Sequence, residues 1–86
     1  MAVYSLRFRK SVAKDLRAIP KKDLVRILTH IDSLALDPRP AGCEKLSGLD
    51  RYRLRVGVYR LLYEIEDDVL TVLVVKVAHR RDAYRS

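Results

Sequence analysis

The dipeptide Gly57-Val58, set between two alternating runs, fixes more of this chain's geometry than any other pair of residues. A two-residue Gly-X loop closes antiparallel strands without splaying them, because glycine accepts the positive φ its first position requires. Tyr52 to Val56 and Tyr59 to Ile65 therefore read as a hairpin. In that register Val56 faces Tyr59, Arg55 faces Arg60, Leu54 faces Leu61, Arg53 faces Leu62 and Tyr52 faces Tyr63. Directly opposed residues share a face of the sheet. Tyr52, Leu54, Val56, Tyr59, Leu61 and Tyr63 thus form an apolar side, while Arg53, Arg55 and Arg60 gather on the other. No acidic residue interrupts the segment from Arg51 to Arg60. Like charges directly opposite each other destabilise a hairpin, so a face of this kind suits a polyanion that neutralises it.

The remaining elements follow from periodicity. Tyr4, Leu6 and Phe8 alternate with Ser5, Arg7 and Arg9 as a first strand. Ser11 is placed to cap a short helix whose inward stripe is Val12, Leu16 and Ile19. Pro20 interrupts and restarts the helix, and Leu24, Ile27, Leu28, Ile31 and Leu34 carry the second stripe to the stop at Asp37-Pro38-Arg39-Pro40. Ala41 to Asp50 shows no period and reads as a loop. After the hairpin, Glu66-Asp67-Asp68 forms an acidic turn into Leu70 to Val77, apolar on both faces and hence a central strand. An N-terminal strand, a two-helix hairpin and a three-stranded antiparallel meander predict an α+β fold with the helices on one face of the sheet.

Size and composition narrow the function. Eighty-six residues, 49% of them hydrophobic, make a single domain over 1–86 with one modest core. The longest apolar run, Val69 to Val75, is broken by Thr71 and is too short to span a bilayer. Arg7, Arg9 and Lys10 precede any apolar block of signal-peptide length, and Cys43 has no second cysteine to pair with. A cytoplasmic protein is expected, with no metal and no cofactor, since one cysteine and two histidines give no ligand spacing. The net charge of +7 favours nucleic acid or an acidic protein partner. A membrane surface is disfavoured, because Trp is absent and Phe occurs once.

The candidate chemistry lies on the arginine face. Arginine gives permanently charged, bidentate contacts to phosphate oxygens. The last strand is expected to deliver His79, Arg80 and Arg81 towards the same region, followed by Tyr84, whose ring can stack on a base. The register after the acidic turn decides more: a three-residue turn puts Lys76 and Arg80 on the face of Arg60, and a two-residue turn does not. Lys10, Lys14, Arg17, Lys21 and Lys22 make a cationic helical surface, suited to RNA as well as to solvent.

The run Tyr52 to Ile65, followed by Val77-Ala78-His79-Arg80-Arg81-Asp82-Ala83-Tyr84-Arg85, resembles the RelE/ParE toxin superfamily and its RelE branch in particular. Phe8 to Leu16, Asp37-Pro38-Arg39-Pro40 and Lys45-Leu46-Ser47-Gly48 resemble it too. The resemblance implies a type II toxin that cleaves messenger RNA in the ribosomal A site without metal, by attack of a 2′-hydroxyl on the adjacent phosphate, and that a cognate acidic antitoxin holds inactive. Carried over by position, Arg53 and Arg55 match basic residues beside the attacking hydroxyl. Arg60 matches a phosphate contact, Arg80 the leaving-group arginine and Tyr84 the stacking tyrosine, while His79 sits where several relatives place a basic or imidazole side chain. Well-studied relatives carry lysine at the positions of Arg53 and Arg55. Arginine does not give up its proton, so the base is open among His79, Tyr84 and catalysis by electrostatics and alignment alone. Two other readings share the fold: a ParE-like inhibitor of DNA gyrase, and a non-catalytic RNA-binding or decayed toxin.

Overall fold

Residues 3–46 and 50–79 are described by the structure, a computed structural model. The hairpin forms as its loop dictates: Gly57 has a φ of 61°, and β3 (Arg51–Val56) pairs with β4 (Tyr59–Glu66) in the expected register, from Val56 opposite Tyr59 to Tyr52 opposite Tyr63. The sheet is larger than a strand plus a three-stranded meander. It has five strands in the order β1-β5-β4-β3-β2, with β1 (Ser5–Phe8) parallel to β5 (Thr71–His79) and the other neighbours antiparallel. The additional strand is β2 (Glu44–Lys45), in the segment read as a loop, and it pairs with Arg53 and Tyr52. Two residues carry no detectable alternation, so only the partner strand defines it.

The helices α1 (Lys10–Arg17) and α2 (Lys21–Ser33) cover one face. Ser11 does not cap α1, which begins two residues earlier than such a cap would set it, with Arg9 at the cap position and no side-chain cap bond. Pro20 does open α2, its carbonyl accepting from the N–H groups of Asp23 and Leu24. The inward stripes meet the sheet through Val12, Ile27, Ile31 and Leu34, all at or below 1% exposure, against Leu61, Tyr63, Val72 and Val74. Burying each such side chain contributes roughly 1.5–3 kcal/mol. Leu28 departs from its stripe and stays 38% exposed.

At the end of the sheet remote from the Gly57 loop, one guanidinium ties three segments together. Arg39 donates to Asp67 at 2.9 and 3.3 Å and to the Tyr52 phenol oxygen at 3.1 Å, and lies 5.2 Å from the Tyr52 ring centroid. Tyr4 donates its hydroxyl to the same Asp67 at 2.6 Å. Hydrogen bonds from Arg39 and Tyr4 hold the Asp67 carboxyl below the usual carboxylate range. Tyr63, fully buried and stacked on Tyr52, donates to the Pro38 carbonyl at 2.9 Å. The proline stop after α2 is thereby fastened to the sheet.

The connection from β4 to β5 decides which residues reach the arginine face. It spans Asp67 to Leu70, with Asp67–Val69 as a 3-10 turn and Leu70 in the left-handed region at φ 46°. Glu66 faces Thr71, and the pairing runs regularly to Tyr63 opposite Val74. An even-numbered connection of this kind would set Val75 opposite Leu62 and turn Lys76 towards the helices. Instead the register shifts between Leu62 and Tyr63, so that Leu62 faces Lys76 and Arg60 faces Ala78. Val75 is the extra residue of a β-bulge, and the bulge does what an odd-numbered turn was expected to do.

Candidate nucleic-acid interface

Alternation along β3 presents Arg51, Arg53 and Arg55 on the face away from the helices. Arg60, Leu62 and Glu64 on β4 and Lys76 and Ala78 on β5 share it through their pairing. The opposed pair Arg55 and Arg60 stands beside the loop. The next row across the sheet is Glu44, Arg53, Leu62 and Lys76. Arg51 and Glu64 form the pair after that, bridged at 2.8 Å.

The three arginines that the sequence places on this face differ in exposure. Arg55 is exposed, Arg53 is half-buried, and Arg60 is only 5% exposed. Arg53 donates to Glu44 at 2.6 Å. That contact holds the Glu44 carboxyl below its ordinary range, chiefly through the Arg53 hydrogen bond and charge, with smaller contributions from the charges of Arg55 and Arg60. One carboxylate thus lies in the combined field of the three arginines. Such exposed ion pairs are weak and readily exchanged. Glu44 is legible only once β2 is known to run beside β3, which is why reasoning from the hairpin alone misses it.

His79 is placed apart from the arginines. It faces Tyr59, with ring centroids 5.6 Å apart and planes at 81°, on the side of the sheet that carries the helices. There it lines a hollow of about 250 Å³ with Asp15, Ile19 and Tyr59, and Lys76 borders the same hollow at the edge of β5. The physical reason is the parity that brings Lys76 to Arg60: positions 76 and 78 share the arginine face, so 79 cannot. Arg80, Arg81 and Tyr84 lie outside the described residues.

Lys10, Lys14 and Arg17 on α1 and Lys21 and Lys22 on α2 are all exposed. They belong to the helical layer, so the sheet separates them from the arginine face and they form a second cationic surface. Two residues join the interface that the hairpin argument left out. Arg51 continues the alternation of Arg53 and Arg55 by one step, a signal present in the sequence, and Lys76 depends on the bulge. Among the described residues no three His, Cys, Asp or Glu side chains are grouped to hold a metal ion. A cationic sheet face with graded exposure and one displaceable carboxylate can hold a phosphodiester backbone and stabilise added negative charge on it.

Comparison with known proteins agrees with this geometry. Residues 6–84 match the family described as the ParE toxin of the type II toxin-antitoxin system, parDE. Toxin RelG of Mycobacterium tuberculosis is 34% identical over 86 residues, covering 95% of this chain and 97% of the relative. The archaeal RelE-RelB complex from Pyrococcus horikoshii superposes with a TM-score of 0.83 at 31% identity, over 93% of this chain and 97% of the matched one. The toxin-antitoxin complex RelBE2 from Mycobacterium tuberculosis gives 0.79 at 28% identity, over 91% and 99%.

Proposed function

This chain belongs to the RelE/ParE superfamily of type II toxin-antitoxin toxins, and from that premise we propose that it is an endoribonuclease that cuts messenger RNA in the ribosomal A site. The observation that carries the proposal is the convergence of Arg53, Arg55 and Arg60 on one sheet face, close enough together to act on the single carboxylate of Glu44. In the reaction the 2′-oxygen attacks the adjacent phosphorus in line, the bond from phosphorus to the 5′-oxygen breaks, and a 2′,3′-cyclic phosphate remains. Such a step needs alignment, positive charge for the crowded phosphorane, and proton transfer at both oxygens. Arg53 and Arg55 lie beside the attacking hydroxyl in this reading, and Arg60 holds the phosphate. Arg80 neutralises the leaving oxygen and Tyr84 stacks on a base. A guanidinium that is already buried, as at Arg60, is pre-positioned and loses little freedom when phosphate arrives.

The partner in the cell is a cognate acidic antitoxin, and the site of action is the cytoplasm. Among the described residues no helix is long and apolar enough to cross a membrane. The antitoxin displaces Glu44 from Arg53 or covers the face around it, as a chain of opposite charge would on a domain of net charge +7.

The test is induction of the toxin without its partner, followed by mapping of RNA 5′ ends and of DNA breaks. Cuts within ribosome-occupied codons are expected, together with a fall of at least about 10² in cleavage for Arg60→Ala. Gyrase-linked DNA breaks with intact messenger RNA would establish the competing ParE-like activity, which the description of the matching family favours. Binding of RNA without either outcome would leave a non-catalytic module.

A further inference from the structure

Attack by a 2′-hydroxyl requires something to take its proton, and the guanidinium groups of Arg53, Arg55 and Arg60 cannot. We propose that Lys76 is a further catalytic residue of this site, its amine accepting the 2′-hydroxyl proton in the cleavage proposed above. The inference rests on the nuclease reading and adds the base that reading lacks.

Three observations carry it. The first is position. Lys76 is directly opposite Leu62, in the same row as Arg53, and Arg60 is its diagonal neighbour on β4. Diagonal positions on one face lie about 7–8 Å apart at their backbones, within reach of long side chains and of one phosphate held between them. The second is how the position arises: only the bulge at Val75 brings Lys76 to this face, and bulges serve to re-aim a side chain beside a site. The third is its surroundings. Lys76 is half-buried, and among the described residues its amine makes no hydrogen bond or ion pair, whereas Arg51 and Arg53 are each engaged by a glutamate.

The charged groups that face it are Arg60 and Glu64 from β4, Arg53 from β3 beyond Leu62, and Arg7 from β1 opposite Leu73. At the edge of β5, Asp15 from α1 accepts the Val77 backbone N–H at 3.2 Å. Glu64 is already held by Arg51; Asp15 and His79 border the hollow that Lys76 also lines, and there the Asp15 carboxylate accepts from the Val77 backbone rather than from the Lys76 amine. In the step itself the neutral amine takes the proton from the 2′-oxygen as the bond to phosphorus forms. The 5′-oxygen departs with a proton from solvent, and the ammonium returns its own to solvent. No other reactant is consumed.

Lys76→Arg and Lys76→Gln separate proton transfer from charge. With ribosome-bound messenger RNA in single-turnover mode, Lys76→Arg is expected to bind as the parent does yet cleave about 10²-fold more slowly, the usual scale of a lost general base. A Lys76→Arg rate within about threefold of the parent overturns the proposal, as does a loss in both variants that merely follows weakened RNA binding. An inactive parent overturns the nuclease reading and this inference together, whereas an active parent with an active Lys76→Arg overturns only the role of Lys76.

Discussion

Neutralising Arg55 should make the free protein more stable and less active. Arg55 and Arg60 are directly opposed on one face, and the Arg60 side of the pair is buried, so the repulsion is incompletely screened. A favourable cross-strand pair is worth about 0.2–1 kcal/mol, and a like-charged one costs a similar amount. Arg55 is exposed, which places the expected gain for Arg55→Gln in the middle of that range, about 0.5 kcal/mol. For a domain of this size that raises Tm by about 2–4 °C. Glutamine keeps most of the side-chain stem, so little packing is lost with the charge. Urea unfolding of the isolated protein at about 50 mM and about 1 M salt is the assay, because a Debye length near 3 Å at the higher salt should erase the gain. RNA affinity measured against salt in parallel should lose about 0.7 from its logarithmic slope, the share of one phosphate contact on a single strand. A variant that is less stable at low salt, or a gain that persists at 1 M, would refute the claim that the opposed arginines repel each other across the hairpin.

Tyr63→Phe removes the hydroxyl that satisfies the Pro38 carbonyl while leaving the stacked ring in place, and should cost about 1–3 kcal/mol in urea unfolding with an unchanged m-value. Glu44→Gln releases Arg53 from its carboxylate, so RNA should bind a few-fold more tightly at low salt and equally at high salt, as read by fluorescence anisotropy. The Asp67 carboxyl is lowered by Arg39 and Tyr4, so its contribution to stability is present above the unfolded carboxylate range and is lost as pH falls through the lowered folded value. Asp67→Asn should therefore flatten the acid limb of the stability curve between about pH 5 and 2, with little effect on the RNA cleavage rate.

The hairpin was fully legible because a two-residue loop leaves only one register, and alternation then assigns every side chain to a face. The helical stripes were legible for the same kind of reason, except where Leu28 and Ser11 depend on neighbours that periodicity does not specify. What stayed hidden were features fixed by two strands at once. The strand Glu44–Lys45 exists only as a partner of Arg53 and Tyr52, and with it the carboxylate that occupies Arg53. The bulge at Val75 balances a four-residue connection against the burial of Val72, Val74 and Val77, a compromise no local pattern displays. It moved His79 away from the arginines and Lys76 towards them. Residue types were therefore readable where their shared face was not.

Among the described strands, the one at the centre of this arrangement is the last to be synthesised. Among the described residues Thr71 to Val74 supplies the only sheet partner of β1, and Thr71 to His79 the second partner of β4, so residues more than 60 positions apart must meet before β1 can join the sheet. Long-range pairing of this kind is slow and cannot begin on a partial chain. A nascent toxin thus lacks the strand that carries Lys76 to the arginine face until residue 79 has been synthesised. Prematurely terminated products would carry the arginine hairpin without the scaffold that aims it. The order of synthesis then acts as a safeguard in time, opening a window in which an antitoxin already present can meet the newly closed sheet first.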